Sequence, residues 1–366
     1  MFQPLTYLEW IAGRPDAAAH DLGSSDLRAR PDDDDLADRR ADDAVVPDAL
    51  VGLPDPPEGT TLEAQLAAIY GRSRRSVRVT AGASHANALV AMAITAAADD
   101  PRVLVESPGY EPQVVTPAGF GATVDRFPRG PDGRLDPERV ADAITAETDL
   151  VVCTNRHNPT GALADRATLA ETAALAGEVG ATLLVDEVYA PYATEPRRGA
   201  FGGVTAAGLP NAVVVSSLTK FHGLGGLRIG WIVADGSLAD RLDRAAWHLP
   251  VVAEPSRALA RRALHHREAL AERSRALLRA NHALLADFVD GRTDLSGEVR
   301  EGCPFALLAH DRAAGDRVSE AAWEAGVLVV PGRFFEVPGA VRVALGHDPE
   351  TTEAALAAFG EVLDGL

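Results

Sequence analysis

At 366 residues and 46% apolar composition, the chain is long enough to build one large domain and a smaller companion. Its formal charge of −18 argues against nucleic acid or an anionic membrane as a partner. No apolar run approaches the ~20 residues that span a bilayer. The start, MFQPLTYLEW, lacks a basic stretch followed by an apolar one, so no secretory leader is expected and the expected location is cytoplasmic. Two cysteines, Cys153 and Cys303, cannot make a disulfide framework or a cysteine-rich metal site.

The cations are unusual. Of 35 Lys+Arg residues only Lys220 is a lysine, and the rest are arginine. A GC-rich genome replaces lysine by arginine, but it does not by itself produce 53 acidic residues. Together the two features point to a salt-rich, halophilic setting, in which an acidic surface stays hydrated and screened. An ordinary acidic protein from a GC-rich source is the alternative reading.

In chain order, Arg30–Asp43 reads as a charged, solvated loop. Pro54, Pro56, Pro57 and Gly59 mark a turn before a helical run at Leu62–Tyr70. Strand patterns then fall at Val77–Thr80, Val103–Glu106, Thr123–Phe127, Leu150–Thr154, Thr182–Asp186, Val213–Ser217 and Ile229–Ala234. Helical patterns lie between several of them, at Ala86–Ala98, Pro137–Ala146 and Arg166–Val179. Such alternation predicts an α/β fold, a mainly parallel sheet with helices on both faces. Ser256–Val289 reads as one long or broken helix. Weaker strands near Glu298–Glu301, Phe305–Ala309 and Val341–Leu345 follow, with helices at Asp316–Ala325 and Thr351–Leu363. This predicts a large domain at residues 45–255 and a smaller α+β domain built from both chain ends, residues 1–44 and 256–366.

In open α/β sheets, ligands bind beyond the carboxyl ends of the strands. There the chain places Ala83 and Ser84 at a helix start, suited to a phosphate through free backbone N–H groups. It also places Tyr110 after the second strand, Asn158 after the fourth, Asp186 and Tyr189 after the fifth, and Ser217, Thr219 and Lys220 after the sixth, with Arg228 close behind. Arginine cannot form a Schiff base, because its guanidinium stays protonated. A chain that has replaced lysine elsewhere keeps one where amine chemistry demands it.

The run SSLTKFHGLGGLRIG, with HNPTG, DEVY and the C-terminal VRVALG in the same order, resembles the class I/II aminotransferase family, fold type I of the pyridoxal 5′-phosphate (PLP) enzymes. The resemblance runs from about Gly59 to the C-terminus. It implies PLP as cofactor, held by Lys220 as a Schiff base. Asp186 would pair with the pyridine nitrogen, Tyr189 and Asn158 with the phenolic oxygen, and Tyr110 would stack on the ring. Ala83, Ser84, Ser217, Thr219 and Arg228 would hold the phosphate. Arg342 would take the substrate α-carboxylate as a bidentate fork, and Gly23, in HDLGSS, would lie over the substrate.

The implied reaction is a ping-pong transfer of an amino group from an amino acid to a 2-oxo acid, in a homodimer; a PLP lyase or decarboxylase on the same fold is the alternative. A regulator built on this fold would need a basic DNA-binding module ahead of it, and the first ~45 residues are acidic. No metal is implied. The family often carries a tyrosine shortly before the position of Gly59, reaching the partner subunit's phosphate. Here LPDPPEG has none, so either another residue serves or the contact is absent.

Overall fold

The computed structural model describes residues 2–28 and 46–366. The charged stretch Arg30–Asp43 lies outside the described residues. At the N-terminal end come the short helices α1 (Thr6–Ile11) and α2 (Arg14–Ala17) and strand β1 (His20–Asp21). Helix α3 (Leu62–Tyr70) opens the alternating block, capped by the Thr61 hydroxyl, which accepts from Ala64 N.

A seven-stranded sheet follows. Its strands are β2 (Val77–Thr80), β3 (Arg102–Ser107), β4 (Thr123–Pro128), β5 (Leu150–Thr154), β6 (Thr182–Asp186), β7 (Ala212–Ser217) and β8 (Gly230–Val233), in spatial order β2-β8-β7-β6-β5-β3-β4. All pairings are parallel except those of β8, which runs antiparallel to β2 and β7. The central strands LVVCT and TLLVD are buried on both faces, as a parallel sheet covered by helices requires. Alternate residues feed separate cores. Val151, Cys153, Leu183 and Val185 pack on one side with α3 and α7 (Arg166–Glu178). Val152, Leu184, Val213 and Val215 pack on the other with α4 (Ala83–Thr95) and α8 (Gly236–Ala246). Between these lie α5 (Glu111–Gly119) and α6 (Pro137–Ala143).

The C-terminal part holds α9 (Glu254–His265), α10 (Arg267–Asp290), α11 (Gly315–Glu324) and α12 (Pro349–Asp364). Its antiparallel sheet is ordered β12-β13-β10-β9, from β9 (Leu295–Ser296), β10 (Phe305–His310), β12 (Val330–Pro331) and β13 (Ala340–Ala344). The N-terminal strand β1 pairs in parallel with β11 (Val327–Leu328), and Leu22 enters the core formed by Val329, Val343 and Phe359.

One expectation is corrected. Residues 298–301 form no strand: the pairing strand is β9, after which Gly297 turns the backbone at φ 154°. The Arg300 side chain then reaches away to the carbonyls of Thr160 and Asp132, at 3.1 and 2.7 Å. Of the two forms expected for Ser256–Val289, the broken helix is the one present: two helices part at His266, whose Nε2 lies 2.9 Å from the Pro54 carbonyl. Helix α5 escaped notice because it carries prolines at its start and at Pro117.

Candidate active site

One cavity of about 260 Å³ opens beyond the carboxyl ends of β5, β6 and β7. Every residue singled out above lines it: Gly23, Ala83, Ser84, Tyr110, Asn158, Asp186, Tyr189, Ser217, Thr219, Lys220, Arg228 and Arg342. They come from both layers, because Gly23 and Arg342 arrive from the chain ends.

Asp186 is the last residue of β6 and is buried. Its Oδ2 accepts from Asn87 Nδ2 at 2.8 Å and Gln113 Nε2 at 3.5 Å, and its Oδ1 accepts from Val188 N at 3.0 Å. All three donors are neutral, and no cation pairs with Asp186 among the described residues. Burial raises its pKa, opposed by those hydrogen bonds. A buried carboxylate served only by neutral donors is matched to a protonated ring nitrogen.

Lys220 follows β7 in a turn that its own carbonyl fixes, accepting from Leu27 N at 2.9 Å and Gly223 N at 3.2 Å. Burial penalises the charge on its amine, but Coulombic interaction with its surroundings, the Asp26 carboxylate among them, outweighs that penalty and holds its pKa above the ordinary lysine value. The Tyr189 hydroxyl lies 2.7 Å from Ser25 Oγ. Tyr110 is half-buried, and desolvation pushes its phenol far above the ordinary range.

The start of α4 forms a cradle. Gly82 caps it at φ 85°, and a Cβ there would stand 3.0 Å from Arg228 Nη2. A Cβ on Gly230 would stand 2.5 Å from the Gly82 carbonyl carbon. Two glycines therefore let β8 and the turn approach, which brings the Arg228 guanidinium beside the free N–H groups of α4. With the hydroxyls of Ser84, Ser217 and Thr219, this donor set fits a phosphate.

Arg342, on β13, is 2% exposed. It donates to Asn158 Oδ1 at 2.9 Å, to the Gly23 carbonyl at 2.9 Å and to the Tyr7 hydroxyl at 3.3 Å. Among the described residues its Nε has no partner, and none of its acceptors is a carboxylate. His157, next to Asn158, does not line the cavity. Its ring nitrogens meet Thr160 Oγ1 at 2.7 Å and the Pro108 carbonyl at 2.9 Å, and burial holds its pKa well below the ordinary histidine value. His222 is likewise buried away from the cavity, its pKa lowered to about 4.

The family model for aminotransferase class I and II matches residues 41–359. The chain belongs to this family. Members of the class I/II aminotransferases use pyridoxal 5′-phosphate, and the acceptor Asp186 and the two donor sets just described fit its ring nitrogen, its phosphate and a substrate anion. The chain is 29% identical over 284 residues to the histidinol-phosphate aminotransferase of Rubrobacter xylanophilus, covering 74% of this chain and 75% of that one. It is 33% identical over 238 residues to a threonine-phosphate decarboxylase of a Sinorhizobium species, covering 63% and 66%. A PLP-dependent aminotransferase structure from Streptococcus suis superposes with a TM-score of 0.84 at 24% identity, covering 100% of this chain and 98% of that one. That likeness speaks for the fold alone.

Sequence reasoning about this aminotransferase missed Tyr7, Ser25, Asn87, Gln113 and Thr154, which also line the cavity. Asn87 had one readable signal, its position one helical turn beyond Ser84 on α4. Tyr7 and Ser25 had none, because only the pairing of the chain ends carries them there.

Among the described residues, no helix is long and apolar enough to cross a membrane, and no group of histidine, cysteine and acidic side chains could hold a metal ion.

Proposed function

We propose that the enzyme moves an amino group from an amino acid to a 2-oxo acid in two half-reactions, with Lys220 as the proton-carrying base. One observation carries this reading: Arg342 is a buried cation with neutral partners only, in the same cavity as Lys220 and Asp186. A buried guanidinium without a counter-ion is costly, and a substrate α-carboxylate supplies one.

Bound PLP supplies an electron sink for charge developing at the substrate Cα. The chain does the rest. Asp186 holds the proton on the ring nitrogen, helped by Asn87 and Gln113. Tyr189 and Asn158 orient the phenolic oxygen, and Tyr110 covers the ring face. Ala83, Ser84, Ser217, Thr219 and Arg228 anchor the phosphate. Arg342, beside Gly23, would hold the substrate carboxylate in the cavity that Lys220 also lines. Lys220 would hold the cofactor through its Nζ, and the same amine would act as the base that carries the substrate Cα proton.

The residues at 45–255 act as the large domain and the two chain ends as the small one. A cytoplasmic homodimer is part of this reading. Its support is the exposed apolar stretch between α8 and α9, where Trp247 is 83% and Val251 55% exposed. The threonine-phosphate decarboxylase relative favours a second reading, loss of carbon dioxide from the same carboxylate. Rapid mixing of holoenzyme with amino acids separates the two. Stoichiometric conversion of the cofactor to its aminated form, with 2-oxo acid released, supports transamination. Release of carbon dioxide with the cofactor unchanged overturns it.

A further inference from the structure

The same cavity bears on the substrate side chain, and this inference rests on the transamination reading above. Beyond the groups assigned to cofactor and α-carboxylate, the apolar part of the wall comes chiefly from α1. Tyr7, Leu8 and Ile11 line the cavity, and Leu8 and Ile11 are only half-buried. Behind them stands an aromatic cluster: the Tyr7 ring lies 5.5 Å from Phe334, 5.6 Å from Phe335 and 6.1 Å from Tyr110.

Helix α1 is held in place from outside. Its own start provides no side-chain cap. Instead the Glu111 carboxylate accepts from Thr6 N at 3.1 Å and Tyr7 N at 2.8 Å. The apolar face of α1 is thereby fixed toward the space that a substrate side chain would fill.

The cations that line the cavity are Lys220, Arg228 and Arg342. Each already has a task, in the order cofactor, cofactor phosphate and substrate carboxylate. Among the described residues none is left for a second anion. The remaining charged group that faces the space, apart from Asp186, is Asp26, with Arg28 Nε 3.7 Å from its Oδ2. Arg28 is not in the cavity wall and is also bound to Asp21 at 3.2 Å. A side-chain carboxylate or phosphate would thus be desolvated against Leu8 and Ile11, face Asp26, and find no counter-ion among the described residues.

We propose that the enzyme selects amino acids with an uncharged, apolar side chain, aliphatic or aromatic, and that Leu8 and Ile11 determine this specificity. Acidic and phosphorylated side chains are disfavoured. An amine that carries a phosphate in place of an α-carboxylate competes for Arg342 itself, so histidinol phosphate is the sharpest challenge.

The test mixes holoenzyme with subsaturating leucine, phenylalanine, aspartate or histidinol phosphate and follows the cofactor absorbance in a single turnover. Leucine and phenylalanine are expected to react roughly a hundredfold faster than the other two. A fastest reaction with aspartate or histidinol phosphate overturns the proposal and leaves transamination standing. No conversion with any amino donor overturns both. Leu8→Arg adds the missing cation and should shift the aspartate-to-leucine rate ratio by roughly tenfold or more toward aspartate. An unchanged ratio in a variant with normal cofactor absorbance removes Leu8 from the side-chain site. Calorimetry gives a readout without turnover: unreactive 3-phenylpropionate should bind more tightly than maleate, and the reverse order contradicts the proposal.

Discussion

Arg342 and Asn158 meet across 184 positions of sequence, guanidinium Nη1 to amide Oδ1 at 2.9 Å. This contact ties the C-terminal antiparallel sheet to the loop after β5, so one residue of each layer is set by the other. Replacing Arg342 by methionine removes the cation from a site where its removal leaves the substrate carboxylate unpaired. The KM for the amino donor is expected to rise about a hundredfold, or ~3 kcal/mol, within the range for truncating one partner of a buried charge pair. Cofactor absorbance should be retained. A KM within threefold of the parent enzyme would show that the carboxylate binds elsewhere.

Asp186→Asn tests the proton held on the ring nitrogen. Asparagine keeps one acceptor oxygen, enough for either Asn87 or Val188, and brings no negative charge. Cofactor binding should weaken modestly, while the single-turnover rate at saturating cofactor should fall by roughly a thousandfold or more. An unchanged rate would count against this role.

Glu187 gives a prediction about pH. It is buried beside Asp186, its Oε1 accepts from Ala206 N at 2.6 Å, and burial lifts its pKa from 4.5 to about 8. A carboxyl whose folded pKa is raised stabilises the fold fully below its unfolded pKa and loses that contribution as pH rises through the folded value. Parent enzyme should therefore lose denaturation midpoint between about pH 5 and pH 9 relative to Glu187→Gln, which mimics the protonated form. Parallel pH profiles for the two proteins would contradict this assignment.

Salt provides a test of the acidic composition. Repulsion among the charges behind the −18 total reaches ~30 Å at 0.01 M ionic strength and ~3 Å at 1 M. Dialysis from concentrated KCl into dilute buffer should cost dimerisation and cofactor retention before each subunit fully unfolds. Sedimentation and cofactor absorbance can be followed on the same samples. A stable, active holoenzyme dimer in dilute buffer would end the halophilic reading without touching the PLP chemistry.

Much of the sheet was legible in the sequence because buried parallel strands are short apolar runs bounded by turn residues. Leu150–Thr154 and Thr182–Asp186 begin and end where the sequence places them. The residues after those strands were legible for the same reason, since the chemistry follows the strand ends. What escaped depends on distant partners. Helix α1 has six residues and takes its cap from Glu111, over a hundred positions away. The two-residue strands β1 and β11 exist only as each other's partner. Asn87 and Gln113 are amides on helices, and only the position of Asp186 gives them a role.

The central claim is that Lys220 bonds the cofactor, and the composition makes it unusually easy to test. Lys220 is the one lysine in the chain. Borohydride reduction of the holoenzyme makes a reversible bond between lysine and cofactor permanent, and peptide mass analysis then locates it. The cofactor mass should appear on the peptide that contains Lys220, and Lys220→Ala should lose both the label and turnover while keeping its fold. An unlabelled Lys220 in active, reduced holoenzyme, or a Lys220→Ala variant within tenfold of parent activity, would contradict the account.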